Sequence, residues 1–218
     1  ILNYTVNGIQ VNGWEFSPRK ELINQKIKHI NVKGKDYNIV VYDNGKVEAL
    51  DRKGSIRIKL KEKFNFSPIG SVYVHGSSEL SSSYVLGVTK NKEVVKISLT
   101  DKKTRLFEIG VDHIKFLSIT DGNGAAEIIV TDSNRVVSYK TDGSIVFDFK
   151  TKFSPDFNVN VYKFDDHILI GYVSSSQNQI FLSTTNGDLV KGFPLNGSSP
   201  FSINDINVAV IQTNNPIN

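Results

Sequence analysis

Short apolar runs recur along the chain, and each is followed by a turn rich in Gly, Asp or Asn. The clearest unit is segment 45–56, GKVEALDRKGSI, in which one strand-like run leads through Gly54 into another. Segments 134–145, NRVVSYKTDGSI, and 178–189, NQIFLSTTNGDL, repeat this pattern with Gly at the matching position. A β-branched residue seven positions before each Gly predicts two antiparallel strands joined by a tight turn.

Two weaker copies extend the pattern into a periodic series. Segment 93–101 carries Asp101 where the other copies have Gly, and at the start of the chain Gly8 follows Ile1 by seven positions. The five copies are anchored, at spacings of 42 to 47 residues, on Ile1, Val47, Val94, Val136 and Ile180. Each interval holds two further strand-like runs, such as Lys28–Val32 and Tyr37–Tyr42. Four strands in about 40–50 residues are typical of a β-propeller blade.

The sequence therefore predicts an all-β, five-bladed β-propeller with four antiparallel strands per blade, in one domain covering residues 1–218. Both ends of the chain would build the fifth blade. Its third strand would be Ile1–Val6, and its fourth strand would follow directly. Its first and second strands would be Phe201–Ile206 and Val208–Ile211. Such closure removes the seam at which the ring could open. Ser-Pro connectors, such as Phe66-Ser67-Pro68, would break the sheet between blades.

Segment 45–57 resembles the repeat of quinoprotein-type (PQQ-type) propellers, with its small residue, its Leu-Asp pair and its Gly-ended turn. The Trp that usually closes a blade of that family is missing, and no quinone or other organic cofactor is expected. The chain as a whole also resembles uncharacterised propeller domains of bacterial surface and periplasmic proteins. That resemblance implies an extracytoplasmic location and a role in protein interaction.

The Gly-rich segment 121–127, DGNGAAE, resembles the acidic calcium loop of integrin-like (FG-GAP) repeats. Calcium binds six to eight oxygen ligands. The resemblance makes Asp121, Asn123 and Glu127 the candidate ligands. The alternative is a Gly-rich turn that joins two strands and holds no metal.

Composition and motifs narrow the classes of function. The chain has no Cys, which excludes disulfides and thiolate chemistry. Its four His lack metal-ligand spacing, and no Gly-x-Ser-x-Gly turn occurs. Asp43 and Asp132 occupy equivalent positions and could serve as paired glycosidase carboxylates, but we interpret them as turn residues. We therefore expect no enzymatic activity.

Charge and hydropathy argue against nucleic-acid binding and against membrane insertion. The net charge of +4 is mild and spread along the chain, so we expect no nucleic-acid partner. No apolar run approaches the ~20 residues that span a membrane, so we expect no membrane insertion.

These observations predict a non-catalytic binding or scaffold module that contacts a protein partner within a larger extracytoplasmic bacterial protein. A glycan-binding or glycan-cleaving propeller and a calcium-stabilised adhesion module are the alternatives. Contacts are expected where the second strand of a blade joins the third and where the fourth joins the next blade. The candidate contact residues are Arg19, Lys20, Asp43, Asn91, Asp132 and Asn134.

Overall fold

The computed structural model describes residues 6–9, 12–16, 20–23, 25–65, 68–121, 125–164, 167–204 and 207–209. Within these residues the chain forms four four-stranded antiparallel sheets and one two-stranded hairpin. Helical structure in this part of the chain is limited to the 3₁₀ turns Leu80–Ser82 and Ser175–Gln177. The strands of each sheet lie side by side in chain order, and we call them A to D.

The four sheets repeat one arrangement. Sheet I consists of β1 (Lys28–Val32), β2 (Lys35–Val41), β3 (Val47–Leu50) and β4 (Ile56–Lys59). Sheet II consists of β5 (Ile69–His75), β6 (Tyr84–Val88), β7 (Glu93–Ser98) and β8 (Lys103–Glu108). Sheet III consists of β9 (Phe116–Asp121), β10 (Ala126–Asp132), β11 (Arg135–Lys140) and β12 (Ile145–Lys150). Sheet IV consists of β13 (Asn160–Phe164), β14 (His167–Ser174), β15 (Gln179–Thr184) and β16 (Leu195–Asn196).

The chain divides into two compact units, each with its own packing. The first unit, Ile1–Ile109 with Thr141–Gly143, holds sheets I and II. Their facing side chains form one apolar core that includes Ile39, Val85 and Ile97. The second unit, Gly110–Lys140 with Ser144–Asn218, holds sheets III and IV and the hairpin. Its aromatic-rich core contains Ile129, Val136, Phe147, Phe149, Val159, Ile170, Tyr172 and Phe181.

The repeated C–D turn is confirmed. The anchors Val47, Val94, Val136 and Ile180 are fully buried on the third strand of each sheet. Four positions past each anchor, a backbone N–H donates across the turn, as from Asp51 to Ser55 at 2.9 Å. The turn glycines Gly54, Gly143 and Gly187 have φ of 86°, 87° and 88°, a region that costs L-residues with a Cβ about 1–2 kcal/mol. Backbone conformation therefore accounts for glycine at these three positions.

The described residues show four four-stranded sheets and not the predicted five. The predicted C-terminal strands are present as a hairpin of β17 (Ser202–Asn204) and β18 (Asn207–Ala209). The predicted closure of the fifth blade by Ile1–Val6 and Val208–Ile211 falls largely on residues 1–5 and 210–211, which lie outside the described residues.

Candidate functional site

Each four-stranded sheet ties its B–C turn to the segment that leaves strand D. The N–H of that segment donates to a turn carbonyl two residues before the anchor, in the pairs Phe64–Gly45 (2.9 Å), Ile109–Lys92 (2.9 Å), Thr151–Asn134 (2.7 Å) and Gly197–Asn178 (3.0 Å). The B–C turn and the outgoing connector therefore share one end of every sheet. We call this end the rim of that sheet.

In the first unit, the rim carries three of the predicted contact residues. Asp43 and Asn91 are exposed in the B–C turns of sheets I and II. Lys20 is exposed in segment 20–23, and the Asp43 N–H donates to the Leu22 carbonyl of that segment at 2.9 Å. The structure thus brings the Lys20 segment to the Asp43 turn. Arg19 lies outside the described residues.

A buried ionic cluster lies beneath the Asp43 turn. Glu48 is fully buried, its Oε2 accepts a hydrogen bond from the Tyr42 hydroxyl at 2.8 Å, and the Lys46 ammonium lies 3.0 Å from its Oε1. Lys46 also lies 3.9 Å from Glu21. Because a buried charge is tolerated only when it is paired and hydrogen-bonded, this cluster fixes the B–C turn against strand C.

In the second unit, the rim carries two more of the predicted contact residues, Asp132 and Asn134. Asp132 is half-buried at the end of β10, and Asn134 is exposed in the turn that follows. The next connector is fixed by side chains: the Lys115 ammonium donates to Ser154 Oγ at 2.8 Å and to the Pro155 carbonyl at 2.7 Å. Asp156 Oδ2 in turn accepts the Ser175 N–H at 2.6 Å. Connector and B–C turn are therefore joined here by side chains as well as by backbone.

The predicted calcium ligands have different surroundings. Asp121 is exposed at the end of β9, and Asn123 lies outside the described residues. Glu127 is buried, and its carboxylate accepts hydrogen bonds from Ser138 Oγ at 2.6 Å and Lys163 Nζ at 2.5 Å. Among the described residues, no group of three or more His, Cys, Asp or Glu is arranged to hold a metal ion. Calcium in this loop stays a prediction, and the ion pair of Glu127 argues against this carboxylate as a ligand.

The cluster of Tyr42, Lys46 and Glu48 was not predicted from the sequence, although it leaves a signal there. Glu48 directly follows the anchor Val47, where the other copies have Val95, Val137 and Phe181. A single acidic residue at a position that is otherwise apolar indicates a buried charge with dedicated partners.

Comparison with solved structures places this arrangement among known folds. BBS1N in complex with ARL6DN is similar to 85% of the chain with a TM-score of 0.57 and 10% identity. Virginiamycin B lyase from Staphylococcus aureus is similar to 85% of it with a TM-score of 0.53 and 18% identity. A protein of unknown function from Bacteroides caccae is similar to 88% of it with a TM-score of 0.51 and 12% identity.

The chain spans only part of these proteins, 57% of the first structure, 60% of the second and 73% of the third. No family model matches the chain, and no curated protein matches it. In the part of the chain that the structure describes, no helix has the length and apolar character needed to cross a membrane. The structural likeness, together with the repeated four-stranded sheets, indicates a β-propeller fold.

Proposed function

We propose that the chain is a non-catalytic binding module whose rim contacts a protein partner. The observation that carries this proposal is the hydrogen bond repeated between B–C turn and outgoing connector in all four sheets. It holds exposed turns of different composition on one constant backbone frame. Pre-organised loops lose less conformational entropy on binding than mobile ones, and variable loops on a rigid scaffold are where binding residues concentrate.

The rim also has the mixed polarity that suits a protein surface. In the first unit, Lys20 and Asp43 are exposed, and Leu22, whose carbonyl accepts the Asp43 N–H, is 70% exposed. An exposed apolar side chain beside polar groups matches the anatomy of interfaces, in which a water-excluding centre has a polar border. The complex of BBS1N with ARL6DN is a precedent for protein binding on a similar fold.

Positive charge added to the rim tests this proposal. Asp43→Lys combined with Asn91→Lys should abolish capture of protein partners from extracts of the source organism, while the melting temperature stays unchanged. The matched control is Asp142→Lys combined with Asn186→Lys, which adds the same charge in C–D turns, at the opposite end of their sheets. If the control loses capture and the rim variant keeps it, the binding face is at the C–D end.

A catalytic alternative needs its own test because virginiamycin B lyase shares the fold. Asp43 and Asp132 are the rim carboxylates that could act in a glycan-cleaving site. We expect no turnover of polysaccharide, ester or phosphate substrates by the purified chain. Turnover that is lost in Asp43→Asn or Asp132→Asn would overturn the binding-module proposal.

The proposal includes closure of a five-bladed ring within one domain. If Ile211 lies beside Ile1 as Val41 lies beside the anchor Val47, Asn3 would face Ala209, as Ala49 faces Ile39. Because the chain has no Cys, Asn3→Cys with Ala209→Cys supplies the only thiols and should form a disulfide under mild oxidation. A pair that stays reduced while the chain is folded would contradict closure in this register.

The proposal also places the chain outside the cytoplasm, as part of a larger bacterial protein, on the strength of its resemblance to surface and periplasmic propeller domains. Fractionation of the source cells with an antibody to this chain tests the location. Recovery in the cytoplasmic fraction alone would overturn this part of the proposal and leave the rim untouched.

A further inference from the structure

Sheet II carries a polar groove at the end opposite its rim. The groove encloses about 580 Å³, within the range of roughly 300–1,000 Å³ that small-molecule sites occupy. We call it the sheet II groove, and its lining residues are Ser81, Ser82, Tyr84, Lys96, Ser98, Thr100, Lys102 and Thr104. All of them belong to the first unit.

The groove exists because sheet II departs from the repeat. Its A–B connection runs over residues 76–83 with a 3₁₀ turn, whereas sheet I joins the same strands through Lys33 and Gly34 alone. Buried Ser83 fixes this long loop: its Oγ accepts the Ser77 N–H at 3.0 Å and donates to the Glu79 carbonyl at 2.9 Å. The Ser83 carbonyl accepts the Leu99 N–H at 2.9 Å, which joins the loop to the C–D turn. Both walls of the groove are therefore held in place.

Positive charge and hydroxyl groups dominate the lining. It contains two ammonium groups, five aliphatic hydroxyls and no carboxylate. Lys96 Nζ lies 5.1 Å from the centre of the Tyr84 ring, and within the described part of the chain neither Lys96 nor Lys102 forms an ion pair.

The nearby acidic groups are engaged elsewhere. Glu79 pairs with Lys33 at 2.5 Å. The Asp101 carboxylate accepts the N–H groups of the preceding connector. The two ammonium groups of the groove therefore lack a neutralising partner among these carboxylates.

The hydroxyls of Ser98 and Thr100 are already committed to the C–D turn. Ser98 Oγ accepts the N–H groups of Thr100 and Lys102, and it shares a hydrogen bond with Thr100 Oγ1 at 2.9 Å. This leaves Ser81, Ser82 and Thr104, together with the two ammonium groups, to face a ligand. Lysine supplies a point charge for carboxylate, sulfate or phosphate. Hydroxyls both donate and accept hydrogen bonds, as the ring hydroxyls of a sugar require.

We infer that the sheet II groove binds an acidic sugar, a small saccharide that carries a carboxylate or phosphate group. The site lies apart from the rim, so it is independent of the proposed protein contact. Calorimetric titration of the intact chain with glucuronate, glucose 6-phosphate, glucose and inorganic phosphate tests the inference. We expect the two acidic sugars to bind at least about fivefold more tightly than glucose, which lacks the charged group, and than inorganic phosphate, which lacks the ring hydroxyls. One lost polar contact of ~1 kcal/mol corresponds to about this factor in each case.

Variants locate the binding. Lys102→Gln changes an exposed side chain, and it should weaken the two acidic sugars about fivefold. Ser82→Glu should weaken them at least as much, because it places a carboxylate on the exposed loop of the groove without changing a buried residue. Lys53→Gln is the matched control, since Lys53 is exposed in the equivalent turn of sheet I and does not line the sheet II groove.

Each contrary outcome overturns the inference. Equal affinity for glucose would mean that charge is not recognised, and equal affinity for inorganic phosphate would mean an adventitious ion only. An equal effect of Lys53→Gln and Lys102→Gln would mean that binding lies outside the groove. If none of the four compounds binds at ligand concentrations on the order of 10 mM, the groove does not bind acidic sugars.

Discussion

The C–D turns of sheets I and II have the same backbone and different chemistry. In the first, Asp51 N–H donates to Ser55 O at 2.9 Å and Gly54 N–H donates to Asp51 O at 3.1 Å. In the second, Ser98 N–H donates to Lys102 O at 2.9 Å and Asp101 N–H donates to Ser98 O at 3.1 Å. The repeat therefore preserves the hydrogen bonds of the turn and leaves its side chains free to change.

The first residue of each turn performs the same task with a different group. Asp51 Oδ1 accepts the N–H groups two and four residues ahead at 2.8 and 3.0 Å. Ser98 Oγ accepts the N–H groups at the same two positions at 3.3 and 3.2 Å. A carboxylate and a hydroxyl are thus interchangeable acceptors here, and the carboxylate makes the shorter bonds, as expected for a charged acceptor.

The fourth residue shows what the substitution changes. Gly54 has φ of 86°, and a Cβ placed on it would lie 2.9 Å from Phe16 N and 3.1 Å from the Trp14 ring. Asp101 has φ of 69°, and its Oδ1 accepts the N–H groups of Lys61 and Glu62, each at 2.8 Å. The first turn meets the preceding segment by close packing and by hydrogen bonds with Glu15, whose N–H donates to the Lys53 carbonyl at 2.6 Å and whose Oε2 accepts from Ser55 Oγ at 2.8 Å. The second turn meets its preceding segment through the carboxylate of its fourth residue. The repeats therefore keep the backbone of the C–D turn and vary the contacts that this turn makes with the preceding segment of the chain.

The largest expected effect comes from Gly54→Ala, which disrupts the close packing. The new Cβ meets the Phe16 backbone, and the residue keeps a left-handed φ, so unfolding should become easier by about 2–5 kcal/mol. Gly34→Ala is the control, because Gly34 has φ of 73° and a Cβ added to it would have nothing within 4 Å. It should cost only about 1–2 kcal/mol, and urea unfolding of both variants measures the gap. Equal losses would mean that the contact with Phe16 contributes nothing.

Asp101→Ala should follow in size. It removes two charge-assisted hydrogen bonds, which should lower the free energy of unfolding by about 2–3 kcal/mol, and it keeps the left-handed φ of the wild type. Asp101→Gly loses the same bonds but relieves the backbone, so it should be about 1 kcal/mol less damaging. Chemical denaturation of the two variants gives this difference. If Asp101→Gly is the less stable of the two, the left-handed backbone at this position is not costly.

Much of this frame could be predicted from sequence because it is local and repeated. The predicted strand Lys28–Val32 has the bounds of β1. The turns follow from a Gly seven residues after each anchor, and Asp101 stands out as a departure from that pattern. Short-range hydrogen bonding and a left-handed φ leave such marks in composition.

The remaining features depend on contacts between residues distant in the chain. Asp101 bonds to amides 39 and 40 residues before it, and Lys163 reaches Glu127 across 36 residues. Glu127 resembles a calcium ligand in sequence because its loop is acidic, whereas its side chain is buried against a neighbouring sheet. The sheet II groove likewise needs a loop and a turn that are adjacent only after folding. A single sequence carries no record of such proximity.

Asp51→Ser should have a smaller effect, because it replaces the carboxylate acceptor in the C–D turn of sheet I with the hydroxyl that Ser98 provides in sheet II. The hydroxyl can accept the same two N–H groups, so the loss should stay at or below about 1 kcal/mol. Asp51→Ala removes the acceptor altogether and should cost about 1–2 kcal/mol. Thermal unfolding monitored by circular dichroism ranks the two variants. Equal losses would show that the hydroxyl does not replace the carboxylate in this turn.

Ion pairs between strands C and D also keep their position in the repeat, but the acidic and basic residues exchange strands. In sheet II, Glu93 on strand C pairs with Arg105 on strand D at 2.7 Å. In sheet III, Arg135 on strand C pairs with Asp148 on strand D, with distances of 2.8 and 2.6 Å to the two carboxylate oxygens. Arg105 faces Val95 and Asp148 faces Val137, which are the residues one past their anchors. The repeat therefore fixes where the ion pair lies, whereas the strand that carries the acidic residue differs between sheets II and III.

The smallest expected effect is the acid sensitivity of the Asp148 pair. The Arg135 hydrogen bond holds the pKa of Asp148 below its usual range, so ionised Asp148 stabilises the fold above about pH 4, and this stability is lost as pH falls through the lowered pKa. Asp148→Asn should therefore cost about 0.5–1 kcal/mol at pH 7, since the pair is partly exposed, and progressively less in acid. Urea unfolding of wild type and Asp148→Asn between pH 2 and 7 measures how far this difference in stability shrinks in acid. Asp112→Asn, at an exposed acid, is the control for a carboxylate outside the pair. A gap between wild type and Asp148→Asn that persists unchanged at the acid end would show that the mutation acts through packing and not through charge.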